Sequence, residues 1–277
     1  MPPDSLFSDT LFDRTCQAIA AKNERQLVYH ISSLIVAPAG ERRLRGHHDL
    51  EHLVDTYHEK WTRMTPFTEY RPQPTYSVGF SLTAFSPAYL AKIQRICGTP
   101  FNRKNTYYRA TNDMYFPFLT TETKRSEQLL DIADRQNMHS GACAARAVIE
   151  LYRLVGRHKQ LDREVLAFSV SHSYRSVRIY AYFALSTAAQ TVYFRQPVRE
   201  FKFTLPDERW TAYRFTKSLY GIWAPRHLER IKSGLEELPV TVSLDSLGSE
   251  SVRLSSPCAH RSRTWINNHN SLLYCVR

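Results

Sequence analysis

The chain has 277 residues and a formal net charge of +11, with 37 Lys and Arg residues against 26 Asp and Glu residues. This length suffices for a buried core, and 43% hydrophobic with 23% charged residues excludes a disordered chain. No apolar run reaches the roughly 18–20 residues that span a bilayer, no secretory signal opens the sequence, and five dispersed cysteines without a CxxC pair exclude a disulfide scaffold. We expect an intracellular protein, nuclear or cytoplasmic and not bound to membranes, whose positive field attracts nucleic acid.

Short elements are predicted in the first half of the chain. Apolar residues at helical spacing indicate a helix through Leu27–Ile35, and a second short helix is predicted over residues 49–61. Prolines make residues 64–75 extended, and a strand follows at residues 76–82. Ser-Pro at the start of residues 86–97 is typical of a helix N-terminus, with the serine as cap and the proline at the first helical position.

Longer elements are predicted in the second half. The aromatic and Thr-rich run YFPFLTTETK indicates a strand, and the apolar stripe that follows it indicates a long helix. A stretch that is apolar on both faces predicts a central strand, followed by an alternating hairpin and an interrupted helical segment. The first strand covers residues 115–124 and the long helix residues 126–156. The central strand covers residues 164–171, the hairpin residues 177–185 and 190–195, and the interrupted helical segment residues 210–238.

The order of these elements predicts an α/β (α+β) body with a mixed central sheet flanked by helices. This body would occupy residues 1–239. Residues 240–277 are Ser-rich and have no sustained hydrophobic period, so we expect them to form a loose C-terminal tail.

Glu122 and Lys124 form the most informative pair of charged residues. Residues two apart on a strand point to the same face, so a carboxylate and an ammonium lie side by side before the long helix. Metal-dependent phosphodiester hydrolysis needs such a pair, with the carboxylate on Mg²⁺ and the ammonium beside the attacking water. Alone the pair is weak, because Glu–Lys pairs are common on solvated faces.

Two further polar residues lie on predicted apolar stripes. Gln136 lies in the first half of the long helix, where it could orient water or phosphate or satisfy a backbone group. Glu24 precedes Leu27 by three residues and so lies on the first stripe. If it is buried there, its carboxylate needs a cation or a hydrogen-bond donor as partner. Alternatively, it forms an ordinary ion pair at the rim of the stripe.

Six segments resemble a known family of fungal proteins of unknown function, whose domain is assigned to the PD-(D/E)xK nuclease-like superfamily. The resemblance extends over about residues 10–235. The segments are KNERQLVYHISSLIVAPAGE at Lys22–Glu41, RPQPTYSVGF at Arg71–Phe80, YFPFLTTETK at Tyr115–Lys124, LDIADRQNMHS at Leu130–Ser140, REVLAFSVSHSYRSVRIYAYF at Arg163–Phe183 and WTAYRFTKSLYGIW at Trp210–Trp223.

The resemblance implies a restriction-endonuclease-like core and a site for nucleic acid. Carried over by position, Glu24 matches the glutamate of the first helix, and Glu122 and Lys124 match the (D/E)xK element. Gln136 matches the polar residue of the next helix. Glu122, Glu24 and the position of Thr75 would hold Mg²⁺ in an active enzyme, and Glu122, Lys124 and Gln136 would act on the phosphodiester.

The sequence departs from this pattern at Thr75, where the superfamily has an aspartate that binds metal. A threonine hydroxyl is neutral and a poor Mg²⁺ ligand, so cation binding should be severely weakened. Asp113, Asp131 and Asp134 are the nearby acids that could replace it, and we expect none of them to do so. The nuclease would then be degenerate.

Residues 48–52 also match HxxEH, the inverted zinc-peptidase motif. Histidines at i and i+4 of a helix can share a Zn²⁺ ion. Five residues are easily matched by chance among eleven histidines, and no downstream carboxylate ligand is identified, so this alternative is weak.

Two hypotheses for function remain open. The first is a nuclease-like protein that binds DNA or RNA, with Mg²⁺ as cofactor only if catalysis survives Thr75. The second is a non-catalytic protein-interaction module on the same fold.

Overall fold

A computed structural model describes residues 8, 11–20, 22–98, 105–187 and 190–238, and the backbone of residues 265–267 and 271–276. The helices are α1 (Phe12–Ala20), α2 (Glu24–Leu27), α3 (Ser33–Ile35), α4 (Ala39–Leu44), α5 (Pro87–Cys97), α6 (Leu130–Leu154), α7 (Thr211–Ser218) and α8 (Ala224–Glu236). The strands are β1 (Leu53–Tyr57), β2 (Tyr76–Phe80), β3 (Tyr115–Thr123), β4 (Ala167–His172), β5 (Ser176–Ser186), β6 (Thr191–Lys202), β7 (Trp265–Asn267) and β8 (Ser271–Val276). Two π-helical turns, Val28–Ser32 and Leu219–Trp223, join α2 to α3 and α7 to α8.

The sheet has the order β1-β2-β3-β4-β5-β6-β8-β7. Strands β1, β2 and β3 form an antiparallel meander, β3 and β4 are parallel, and the remaining pairs are antiparallel. A parallel pair needs a long crossover, and α6 provides it. The predicted mixed sheet flanked by helices is therefore confirmed.

Helix α6 covers one face of the sheet. Its stretch from Ser140 to Ala145 is buried throughout, and small side chains there allow close packing on the strands. Gly141 marks the closest approach, because a Cβ built at this position would lie 2.4–2.7 Å from carbons of the Tyr182 ring. Gly156, with φ +72°, follows the end of the helix.

The other face packs on an aromatic cluster carried by the last helices. Trp223 contacts Phe118 and Phe168, with ring centroids 5.7 and 5.1 Å away. His227 stacks on Trp223 at 4.3 Å. Burial lowers the pKa of His227, so this histidine is a neutral member of the core.

Most predicted elements are present with shifted ends. Helix α5 begins as expected, since the Ser86 hydroxyl accepts from the Tyr89 amide and Pro87 takes the first position. The predicted helix over residues 49–61 is wrong. The structure has a 3₁₀ turn at His48–Leu50 and then β1, because the β-branched and aromatic run VDTY fits a sheet edge.

Most of the predicted tail, residues 240–277, lies outside the described residues. Its two described segments are strands, and β8 adds to the edge of β6, with Tyr193 opposite Val276. Among the helices that the structure describes, none combines the length and the apolar character needed to cross a bilayer.

Candidate functional site

Four of the predicted site residues meet at one edge of the sheet. The Thr75 hydroxyl donates to Glu122 Oε2 at 3.2 Å. Lys124 Nζ lies 3.9 Å from the same oxygen and donates to Glu24 Oε1 at 3.3 Å. The chain of contacts Thr75–Glu122–Lys124–Glu24 joins residues that are up to 100 positions apart in sequence, and we call these residues the acid–lysine cluster.

The backbone of the sheet places this cluster. Thr75 immediately precedes β2 and Glu122 lies near the end of β3, which is antiparallel to β2. The Thr123 amide donates to the Thr75 hydroxyl at 3.3 Å, and the Lys124 amide donates to the His172 carbonyl at 2.9 Å. Both sides of the (D/E)xK segment are therefore held by neighbouring strands.

Burial within the cluster is graded from the sheet outward. The side chain of Glu122 is 5% exposed, that of Lys124 is 12% exposed and that of Glu24 is 40% exposed. The exposed fraction therefore increases along the chain of contacts from Glu122 through Lys124 to Glu24.

Burial raises the pKa of Glu122 from 4.5 to about 7. Desolvation is the largest cause, and the ammonium of Lys124 and the hydrogen bond from Thr75 only partly offset it. The carboxyl of Glu122 consequently keeps its proton to a higher pH than an exposed glutamate does. A proton therefore competes with any cation for this carboxylate.

A second polar cluster, which the sequence analysis missed, lies directly behind the first. His172 Nε2 is 2.9 Å from both Ser32 Oγ and Thr123 Oγ1, and its Nδ1 is 3.1 Å from the Ser173 carbonyl. Because a carbonyl only accepts, we assign the proton to Nδ1, which leaves the single lone pair of Nε2 to accept from one hydroxyl. Ser32 Oγ and Thr123 Oγ1 are 3.2 Å apart, so the other hydroxyl can donate to its neighbour. Burial lowers the pKa of His172 to about 4.

This histidine connects three parts of the fold. Ser32 belongs to the helical segment that begins at Glu24, Thr123 lies between Glu122 and Lys124, and His172 ends β4. The segment that carries Glu24 is thus tied to the strand that carries Lys124. Alternation along β3 could have revealed this cluster, because Thr123 must point away from the face of its two neighbours.

Gln136 does not lie on the buried face of α6 as the stripe predicted. Its side chain is exposed, and the neighbouring Asn137 is fully buried instead. Asn137 accepts from Thr120 Oγ1 at 2.7 Å and donates to Ser171 Oγ at 3.0 Å. The rest of the predicted stripe, including Ala133, Ser140 and Ala144, is buried, so Gln136 alone lies outside that face. A catalytic role for Gln136 stays a prediction.

The three alternative acids lie in other surroundings. Asp131 and Asp134 both accept from the Arg178 guanidinium at 2.8 Å, and Asp134 also accepts from Tyr180. Asp113 lies in the loop before β3, near Glu59. No contact described for these acids joins them to the acid–lysine cluster.

The donor set of the acid–lysine cluster does not fit a Mg²⁺ ion held by protein ligands alone. Glu122 offers one carboxylate, Thr75 directs its proton to that carboxylate, and Glu24 is engaged by Lys124. Across the described residues, no three His, Cys, Asp or Glu side chains are grouped in a way that could hold a metal ion. Mg²⁺ needs several oxygen ligands.

The zinc-peptidase interpretation of residues 48–52 requires an α-helix, and these residues do not form one. His48 lies in the 3₁₀ turn, where its Nδ1 contacts Glu51 at 2.9 Å, and His52 follows that turn at the start of β1. The two histidines therefore do not share a helix face.

Comparison with known proteins identifies one family. A family model described as a domain of unknown function, DUF7924, matches residues 11–235. No curated protein matches the chain, and no solved structure matches it.

Proposed function

The chain belongs to the DUF7924 family, and we propose that its domain is a nuclease-like module that binds nucleic acid, with hydrolysis impaired by Thr75. The observation that carries this proposal is the convergence of Glu24, Thr75, Glu122 and Lys124 at one sheet edge. Four polar residues from three distant segments do not meet by local spacing. Their types and order follow the PD-(D/E)xK pattern at every position except Thr75.

The topology supports the same proposal. A helical segment, a three-stranded meander, a crossover helix and a fourth strand parallel to the third follow one another along the chain. This order suits a restriction-endonuclease-like core. The net charge of +11 adds a field that favours polyanions.

The Thr75 position accounts for the proposed loss of hydrolysis. A hydroxyl replaces an anionic ligand and is itself bound to Glu122, whose raised pKa further reduces the charge available to a cation. Restoring an aspartate would place a second carboxylate beside Glu122. Thr75→Asp should therefore lose stability without divalent ions and regain it with them, because the cation relieves the repulsion between the two acids.

The test combines binding and cleavage. Plasmid, linear DNA and RNA are incubated with MgCl₂ and the parent protein, Thr75→Asp, or Thr75→Asp with Lys124→Ala. We expect salt-sensitive binding by the parent without cleavage, and Mg²⁺-dependent cleavage by Thr75→Asp that Lys124→Ala abolishes. Thr75→Ser serves as the control that keeps the hydroxyl.

Two other outcomes would change the conclusion. Cleavage by the parent that disappears in Lys124→Ala would show an active nuclease and refute the impairment. Absence of both cleavage and salt-sensitive binding would remove the nucleic-acid proposal and leave the protein-interaction module.

A further inference from the structure

We propose that the sheet edge beside the acid–lysine cluster carries a track for the phosphodiester backbone, formed by Lys22, Arg25, Arg125, Arg175 and Lys202. We call these five residues the cationic edge. The proposal rests on the proposed function and adds the surface and the chemical group that it contacts.

Three of these cations follow from the strand topology. Arg125 comes two residues after the end of β3, Arg175 lies in the turn between β4 and β5, and Lys202 ends β6. Lys202 pairs with Ser176, and the Phe203 amide donates to the Arg175 carbonyl. Because β3, β4, β5 and β6 are consecutive neighbours, the three exposed side chains lie at the same end of the sheet.

The other two cations are sequence neighbours of Glu24. Lys124 donates to Glu24, which places the start of α2 at this sheet edge. Arg25 follows Glu24 directly, and Lys22 precedes the Asn23 cap of that helix. Both side chains are exposed. The backbone at these two cations therefore adjoins the acid–lysine cluster.

The five cations of this edge carry unpaired charge. In the part of the chain that the structure describes, no ion pair involves any of them. Of two nearby acids, Glu200 is already bound by Arg178, and Glu127 accepts from the Ser176 hydroxyl. The positive charge of the edge is therefore available to a polyanion.

The spacing fits a polynucleotide backbone. Neighbouring strands lie about 4.8 Å apart, so the three intervals from β3 to β6 span about 14 Å. Every nucleotide of a strand carries one phosphate, so a surface of this length can contact several successive phosphates. Exposed unpaired cations over that distance can replace condensed counterions on successive phosphates.

The test measures the dependence of nucleic-acid affinity on salt. The edge variant is Arg125→Gln/Arg175→Gln/Lys202→Gln. The control, Lys159→Gln/Arg163→Gln/Arg226→Gln, removes the same charge from exposed positions elsewhere. Arg163 donates its amide to Ala184 near the end of β5, and Arg226 lines a groove beside His52, before β1. Both therefore lie toward the opposite end of the sheet.

The probes are duplex DNA, single-stranded DNA and single-stranded RNA of equal length. We expect the slope of log affinity against log salt to become shallower by about 2–3 in the edge variant and by less than about 1 in the control. The strongest change among the three probes identifies the form of nucleic acid. Arg125→Lys/Arg175→Lys/Lys202→Arg keeps the charge and should bind like the parent, and thermal melting checks that each variant is folded.

Each result decides a separate claim. Equal effects of the edge and control variants would overturn the track and leave nucleic-acid binding by a diffuse field. Loss of affinity in the charge-preserving variant, with folding intact, would also overturn it. A parent protein that binds no probe at low salt would remove the proposed function together with the track.

Discussion

Neutralising Glu122 should stabilise the protein at alkaline pH. The carboxyl is 5% exposed, and its pKa rises from 4.5 to about 7 on folding because burial disfavours the charged form. The folded state therefore holds the proton more tightly than the unfolded state does. The stability that this proton binding contributes to the folded state is fully present below about pH 4.5 and is lost as the pH rises through about 7.

The magnitude follows from that difference in pKa. A shift from 4.5 to about 7 corresponds to about 3 kcal/mol, of which about 2.5 kcal/mol develops between about pH 5 and pH 8. The Glu122→Gln variant has no titrating carboxyl at this position, so it does not lose this stability as the pH rises. The free energy of unfolding of the variant relative to the parent should therefore rise by about 2–3 kcal/mol over this interval.

Urea unfolding at several pH values measures this difference. His172, whose depressed pKa gives the opposite pH dependence, is present in both proteins, so its contribution cancels. Glu41→Gln, which changes an exposed carboxylate paired with Arg45, serves as the control and should give a nearly flat difference. A flat or falling difference for Glu122→Gln would refute the reasoning that burial controls this carboxyl.

Three further predictions concern residues behind the site. His172→Ala should lower the free energy of unfolding by about 3–5 kcal/mol, because a buried hydroxyl loses its acceptor and a cavity forms. A loss below about 1 kcal/mol in urea unfolding would contradict this expectation. Asn137→Ala should lower the free energy of unfolding by about 2–3 kcal/mol, because its buried hydrogen-bond partners are left unpaired. Substitution of the neighbouring exposed residue, Gln136→Ala, should change it by no more than about 0.5 kcal/mol. Equal effects of the two substitutions would show that the assigned helix face is wrong. Gly141→Ala should lower the melting temperature, because its Cβ would lie 2.4–2.7 Å from carbons of Tyr182, and Tyr182→Phe, which keeps the ring, should not relieve this loss.

The fold class could be predicted because long periodic segments dominate it. The α6 stripe and the strands that follow extend far enough for hydrophobic periodicity to identify them. The helix predicted over residues 49–61 failed because β1 is short and acquires its hydrogen bonds only from β2. A pairing partner 19 to 27 positions away leaves no local pattern in the sequence of β1.

The amino-acid sequence, through its resemblance to the PD-(D/E)xK pattern, predicted the site residues Glu24, Thr75, Glu122, Lys124 and Gln136. The packing of distant segments brought the first four together at one sheet edge, placed Asn137 rather than Gln136 against the strands, and buried His172 behind the site. The raised pKa of Glu122 is likewise a tertiary property. The physical reason is that residue type and spacing fix which groups a chain carries, whereas desolvation and contact depend on the packing of segments distant in sequence.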